Sequence, residues 1–188
     1  MRIRTAGVDD APAMGRVMVA AWLSGHHGQM PEDLWRKRVD EWTPEVSAAG
    51  WARVLGEQEA GEAGRVVVLV AEDGAEDPVG LVMAEEDEED LSGSTALIPA
   101  LYVREDRRGQ GIGRALLGAV ATELAGLGLS ALHISVLTLN RPARAFYEAM
   151  GGHEIGQRTF NEEDVLLPET VYAWPDITAL IGRRPRRS

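Results

Sequence analysis

The 188-residue chain contains no cysteine. This absence excludes a disulfide framework, a thiolate metal site and a cysteine nucleophile. The chain also lacks an apolar run long enough to span a membrane, and its first residues, Met1 to Arg4, lack the apolar stretch of a secretory signal. We therefore expect a cytoplasmic protein that contacts no membrane and holds no metal.

Positive charge is scarce, because 19 lysines and arginines face 30 aspartates and glutamates, for a net charge of −11. Four arginines are clustered in residues 183–188, so the rest of the chain is more acidic still. An acidic body repels nucleic acid and attracts cations. The length suits one domain, and we expect that domain to span residues 1–176, followed by a basic tail at 177–188.

Apolar periodicity predicts alternating strands and helices, with no repeat and no second domain. Such a pattern implies a mixed sheet with helices on both faces. The predicted strands are 3–6, 66–71, 79–84, 96–103, 129–137, 153–160 and 165–173. The predicted helices follow Asp9-Asp10, Pro31, Thr43-Pro44, the glycine-rich segment at 109–113, and Asn140.

The most informative segment is the predicted strand end Leu101-Tyr102-Val103 and the arginine- and glycine-rich stretch 107–114, RRGQGIGR, that follows it. A helix start leaves backbone N–H groups without partners, and glycines let a bulky anion approach them. The segment therefore predicts a pyrophosphate site. A Walker loop would need lysine and then serine or threonine after the last glycine, where Arg114-Ala115 stands, and neither register of G-x-G-x-x-G is complete.

A second segment, Asn140 to Gly151, reads as a short helix in its own right. Asn140 suits an N-cap, Pro142 suits a first turn, and Gly151 suits a C-terminal stop. The two segments together resemble the signatures of the GNAT superfamily of N-acetyltransferases. Arg108, Gly111 and Gly113 fill the first signature, Arg/Gln-x-x-Gly-x-Gly/Ala, and the second segment fills Asn-x-x-Ala-x-x-Phe-Tyr-x-x-x-Gly at every position.

The resemblance implies a twisted, mostly antiparallel sheet of six to seven strands, with helices on both faces and two central parallel strands that splay apart. It implies acetyl-CoA as the acyl donor and direct attack by an amine in a ternary complex. Family members are commonly dimers, so a homodimer is also implied. The cofactor-binding residues that it implies are Leu101, Tyr102, Val103, Arg108, Gly109, Gln110, Gly111, Ile112, Gly113, Arg114, Asn140 and Arg144.

Tyr147 is the residue that the resemblance implies as the general acid, because a phenol near the sulfur can protonate the departing thiolate. Family members often place a glutamate or histidine base on the strand before the glycine loop, but Ala96 to Leu101 offers none. Glu85, Glu86, His26, His27 and a water chain remain open as the base.

Three functions remain open from the sequence. The first is an N-acetyltransferase for a small amine, which the acidic body predicts to be cationic. The second is a protein or peptide acetyltransferase, which would need an open acceptor groove rather than one sealed by residues 24–45 and 155–165. The third is a non-catalytic acyl-CoA-binding module. Of the four tryptophans Trp22, Trp35, Trp42 and Trp51, we expect most in the core and one, Trp22 or Trp35, in the acceptor wall.

Overall fold

The computed structural model of the protein describes residues 1–74 and 77–182. It contains one seven-stranded sheet in the order β1-β2-β3-β4-β5-β7-β6, in which only the β4–β5 pair is parallel. The strands are β1 Arg2–Thr5, β2 Val66–Glu72, β3 Gly80–Glu86, β4 Thr95–Val103, β5 Ala131–Leu137, β6 His153–Glu162 and β7 Val165–Trp174. The α-helices are α1 Ala11–His26, α2 Glu32–Glu41, α3 Pro44–Glu59, α4 Ile112–Gly126 and α5 Arg141–Ala149. Within the described residues no helix is both long and apolar enough to cross a membrane.

Helices cover both faces of the sheet, and each face has its own core. On one face α4 and α5 pack against the sheet around a core that includes Leu116 and Leu124 of α4 and Trp174 of β7. On the other face α1 and α3 pack against β2, β3 and β4 through residues such as Met14 and Leu55. Since successive strand residues point to opposite faces, the continuous apolar run of β2 supplies both cores.

The parallel strands β4 and β5 pair over only three residues, from Thr95–Ala131 to Leu97–His133. Just beyond Leu97 the β3–β4 register shifts between Met83 and Glu85, which leaves Ile98 and Pro99 opposite the single residue Ala84. This extra residue is a β-bulge, which bends a strand. Pro99 has no N–H to donate to a ladder. Together they explain why β4 leaves β5 at this point.

The predicted fold class is confirmed in its seven strands, its mostly antiparallel pairing, its helices on both faces and its splayed central pair. The sheet core also extends past residue 176, because Ile177 and Leu180 are buried in it. The four arginines of the expected basic tail lie outside the described residues.

Candidate active site

The splay of β4 and β5 opens a cleft of about 2210 Å³ that runs through the sheet. Its glycine end is lined by residues 107–114 and by α5. Its acidic end, at the closed vertex where β4 and β5 still pair, is lined by Glu85–Glu89, whereas the hairpin carboxylates Glu162 and Glu169 line the open end of the splay. A long molecule lying in the cleft would therefore pass from a loop of free backbone amides to a region of negative charge.

The backbone of β4 faces this gap at two residues. The Arg104 N–H donates to the Val79 carbonyl at 2.9 Å, on the β3 side of the strand. Because backbone groups alternate along a strand, the N–H and C=O groups of Val103 and Leu101 point to the other side, into the gap. The gap thus offers a strand edge to which an extended, amide-containing chain can add.

The glycine end has the geometry of an anion cradle. Gly109 and Gly111 have φ of 75° and 84°, a left-handed conformation that costs glycine nothing. Helix α4 begins at Ile112, and its first backbone bond comes from the Ala115 N–H, so the N–H groups of residues 112–114 keep no intrahelical acceptor. Gly113 lies against Phe146, whose ring carbon would be 3.3 Å from an added Cβ.

Helix α5 brings Asn140 and Tyr147 to the cleft wall. The Asn140 side-chain oxygen accepts from the Ala143 N–H at 3.2 Å, so it caps the helix and leaves its NH₂ group as a donor. Tyr147 is 6% exposed and packs between Phe146, Tyr172 and Trp174. Burial, with a smaller contribution from Tyr102, raises the pKa of Tyr147 above its usual value, so it is a neutral donor at neutral pH.

The predicted arginines divide into two groups. Arg114 borders the cleft and forms no ion pair with another described residue. Arg108 lines the cleft too, but its guanidinium reaches across to α1, where Nη2 donates to the Ala21 carbonyl at 3.1 Å and to Ser24 Oγ at 2.8 Å. Its Nε donates to the Val103 carbonyl at 3.3 Å. Arg108 thereby ties the end of α1 to the strand edge.

Arg144 is not brought to the cleft. Its guanidinium donates to the Tyr172 hydroxyl at 3.1 Å, to the Thr138 carbonyl at 3.2 Å and to Glu154 at 3.2 Å. These contacts join α5 to β6 and β7 and hold the guanidinium outside the cleft that the other residues predicted for cofactor binding line. The remaining residues predicted for cofactor binding, together with Tyr147, all line the one cleft.

An aromatic cluster forms a wall over the open end of the cleft. Trp22 lines the cleft and stacks on His26 and Trp35, with centroids 4.7 and 5.8 Å away, while Trp42 meets it edge-on. Trp51 is buried in the core of α1 and α3. The expectation of one tryptophan in the wall fits Trp22, but the expectation that most of the four lie in the core is wrong, because only Trp51 among them is buried.

Helix α2 covers this end of the cleft and is fastened to the β6–β7 hairpin. Arg38 forms an ion pair with Glu162 and lies over the rings of Trp22 and Trp42, 5.8 and 5.9 Å from their centroids. Lys37 pairs with Glu163 at 2.6 Å. An apolar cluster that includes Leu34, Leu137 and Leu167 lies beneath. Segments 24–45 and 155–165 are therefore in direct contact over the open end of the cleft.

Carboxylates line both ends of the cleft, and arginines neutralise three of them. Glu86 binds Arg65 with Nε at 2.9 Å, Glu169 binds Arg158 at 2.7 Å, and Glu162 binds Arg38. The others that line the cleft are Glu85, Asp87, Glu88 and Glu89, and all four belong to the acidic end. Their sum is a negative region at one end of the cleft.

The four candidate bases have different surroundings. The carboxylate of Glu86 is held by Arg65, and His27 packs against Trp35 away from the cleft. His26 lines the cleft, and its Nδ1 is 2.8 Å from the Trp22 carbonyl, which can only accept, so Nε2 carries the lone pair. Burial lowers the pKa of His26. The pKa of Glu85 is raised by partial burial and by Glu88.

Two further ionisable groups in the cleft, His133 and Glu169, have no motif to mark them. His133 lies on β5 with Nδ1 3.8 Å from Asp87. Glu169 lies on β7 beside Leu137, at the open end of the splay. Their only sequence signal is the alternation of polar and apolar residues along β5 and β7. This alternation indicates the face of the sheet on which each side chain lies, but it does not indicate that the side chain lines the cleft.

Comparisons with known proteins agree with this geometry. The model of the Acetyltransferase (GNAT) family matches residues 29–152. The N-acetyltransferase YuaI of Bacillus subtilis (strain 168), itself uncharacterized, is 27% identical over 183 residues, which are 95% of each chain.

Two solved structures have the same fold. The PaiA N-acetyltransferase of Thermoplasma acidophilum, in complex with coenzyme A, has a TM-score of 0.65 and 14% identity, over 90% of this chain and 96% of that one. The acetyltransferase YncA of Salmonella typhimurium, with acetyl-CoA, has a TM-score of 0.66 and 18% identity, over 92% of each chain. With a family model that covers well over half of the sequence, the chain belongs to the GNAT family of acetyltransferases and is an N-acetyltransferase that uses acetyl-CoA as its donor.

Proposed function

We propose that the protein acetylates a primary amine of a small cationic molecule. The observation that carries this proposal is the acidic end of a cleft whose open end is covered by α2 and the β6–β7 hairpin. Four carboxylates there, Glu85 and residues 87–89, have no arginine partner among the described residues. Such a region raises the local concentration of cations. Helix α2 and the β6–β7 hairpin limit what can enter, which favours a small acceptor over a folded protein.

The residues of the glycine end suit the donor. The free N–H groups of residues 112–114, with those of Gln110 and Gly111, would bind the pyrophosphate, and Arg114 would add a charge-assisted hydrogen bond. Val103 and Leu101 would offer backbone groups to the pantetheine amides, and Asn140 would add its NH₂ group. When bound, acetyl-CoA supplies the thioester on which the amine acts.

Two groups of this chain would then act during acyl transfer. The Leu101 N–H, which points into the gap, would donate to the thioester oxygen as negative charge develops there. Tyr147 would donate its phenolic proton to the sulfur as the C–S bond breaks. Its raised pKa keeps the phenol protonated until that moment.

A panel assay tests the acceptor class. Release of free coenzyme A thiol is followed with acetyl-CoA and amines of equal size that carry one, two or no additional positive charges. We expect kcat/KM to rise with the charge of the acceptor and to fall as salt is added, since screening weakens attraction to the acidic end. Equal values for charged and neutral amines would contradict the cationic acceptor while leaving the enzyme class intact.

A protein substrate is the other outcome of this assay. Peptides with a free N-terminus or an internal lysine are included, and turnover of a peptide at a higher kcat/KM than of every small amine would contradict the small acceptor. The cytoplasmic location, the homodimer and the domain limits at 1–176 and 177–188 remain predictions from the sequence.

A further inference from the structure

Candidates for the general base lie at the closed vertex of the cleft, where β4 and β5 separate. One row of partners crosses the sheet there, with Glu85 on β3 next to Leu97 on β4, and Leu97 next to His133 on β5. Residues in one row point to the same face. All three line the cleft.

The face of this row is the one opposite Tyr147. Alternation along β3 places Glu85 on the side of Leu81, which is buried with α1 and α3. Tyr147 is buried on the other side, with α4 and α5. A group at Glu85 and a group at Tyr147 therefore reach a molecule in the gap from opposite faces.

The distance along β4 suits a base at the vertex. The acyl group is the part of the donor farthest from the pyrophosphate, so it lies between Leu101 and the vertex row at Leu97. Four residues of strand span about 13 Å at most. An acyl group midway along that span is about 7 Å from the row, within reach of a glutamate side chain and one bridging water.

Glu85 is also the carboxylate that is suited to take a proton. It makes no hydrogen bond or ion pair with any residue that the structure describes, whereas Glu86, next to it, is held by Arg65. Partial burial and the nearby Glu88 raise the pKa of Glu85, which strengthens it as a base. The charged or titratable groups around it are Arg65, Glu86, Asp87, Glu88, Glu89 and His133.

His26 is less well placed. Its helix turn is tied by Arg108 to Val103, at the end of β4 that leads into the glycine loop. Its other electrostatic neighbour, Glu169, pairs with Leu137 at the open end of the splay. The imidazole therefore lies over the open end of the cleft, several residues of strand away from the vertex.

We infer that Glu85 is the general base of this enzyme and accepts a proton from the acceptor ammonium, directly or through one water. This inference rests on the proposed amine acetylation. The freed amine lone pair forms the N–C bond to the acyl carbon, the C–S bond breaks, and the sulfur takes the electron pair and a proton from Tyr147. The nitrogen loses a second proton to solvent, from which Tyr147 is reprotonated, and Glu85 releases its own proton to solvent.

The test compares Glu85→Gln with the wild type on two acceptors. With an alkylamine, whose ammonium must be deprotonated, we expect kcat to fall about 10²–10⁴-fold. With an alkoxyamine, which is already neutral at neutral pH, we expect a loss of less than about tenfold. Glu85→Asp should recover part of the alkylamine rate. The control Glu123→Gln removes the same charge from an exposed site on α4, and both rates should stay near wild type.

The pH profile gives a second readout. With the alkylamine, the acidic limb of kcat/KM should move up towards the pKa of the acceptor ammonium in Glu85→Gln, and in Glu88→Gln it should move to lower pH, because that variant removes the negative neighbour. A Glu85→Gln enzyme that keeps the wild-type alkylamine rate, or that loses both acceptors equally, would overturn the assignment. Absence of turnover by the wild type itself would instead contradict the proposed function.

Discussion

Replacing Tyr147 by phenylalanine should lower the rate of acyl transfer while leaving the stability of the fold nearly unchanged. The hydroxyl of Tyr147 makes no hydrogen bond to another described residue, while its ring packs against Tyr172 and Trp174. Phenylalanine keeps the ring and removes only the proton donor. We therefore expect the free energy of unfolding to change by less than about 0.5 kcal/mol.

The expected kinetic effect is large. Loss of a general acid lowers kcat about 10²–10⁴-fold, which corresponds to roughly 3–5 kcal/mol of activation free energy. The dissociation constant of coenzyme A should stay within about threefold of wild type, because the phenol is not needed for pyrophosphate or pantetheine binding. The measurements are steady-state thiol release, isothermal titration with coenzyme A, and urea unfolding.

Tyr172→Phe is the matched control, and it should show the opposite pattern. The Tyr172 hydroxyl donates to Glu148 at 2.8 Å and accepts from Arg144 at 3.1 Å, and both bonds are part-buried. Its removal deletes two part-buried hydrogen bonds whose partners water can still reach, at a cost of about 0.5–1.5 kcal/mol in stability. Because these contacts lie outside the cleft, kcat should change little. A Tyr147→Phe enzyme with wild-type kcat would refute the reasoning, and the sulfur would then leave without this donor.

Three other predictions test the fold and the cover. Gly15→Ala should lower the free energy of unfolding by about 1–3 kcal/mol, because the added Cβ would lie 2.4 Å from the Pro44 carbonyl oxygen. The control Gly56→Ala adds its Cβ in open space, so in the same urea titration it should leave the free energy of unfolding unchanged or raise it. Arg4 binds Asp10 at 2.6 and 2.8 Å and lowers its pKa, so this carboxylate stabilises the fold above its unfolded pKa of about 3.9. That stability should be lost as the pH falls through the lower folded pKa. In this pH range the free energy of unfolding of Asp10→Asn should depend less steeply on pH than that of the wild type, and equal slopes for the two proteins would contradict the linkage. Arg38→Ala should raise the KM for the acceptor several-fold without changing the KM for acetyl-CoA. The control Arg36→Ala, on the same helix, should change neither constant. An equal rise in both constants for Arg38→Ala would show that α2 does not act on the acceptor alone.

The conformation of the glycine-rich loop and of the α5 N-terminus was predictable because its signals are local. An N-cap at Asn140 and glycines at 109–113 specify their conformation within a few residues of sequence. The partners of Arg108 and Arg144 could not be predicted, since Ala21 and Tyr172 are 87 and 28 residues away in the chain. The row that joins Glu85 to His133 depends on strand register, and the bulge opposite Ala84 sets that register. No periodicity in the sequence reveals such a one-residue shift.

The two halves of the sheet meet through only three residue pairs of β4 and β5, and beyond them the strand edges lack ladder partners. A donor molecule that lies between these edges takes the place of the missing rungs, so it adds to the cohesion of the whole molecule as well as to the chemistry. Ligand present at a hundred times its dissociation constant would contribute about 2.7 kcal/mol to stability. Resistance to heat and to protease should therefore increase with the concentration of acetyl-CoA. The amide hydrogens of β4 and β5 should exchange more slowly as that concentration rises.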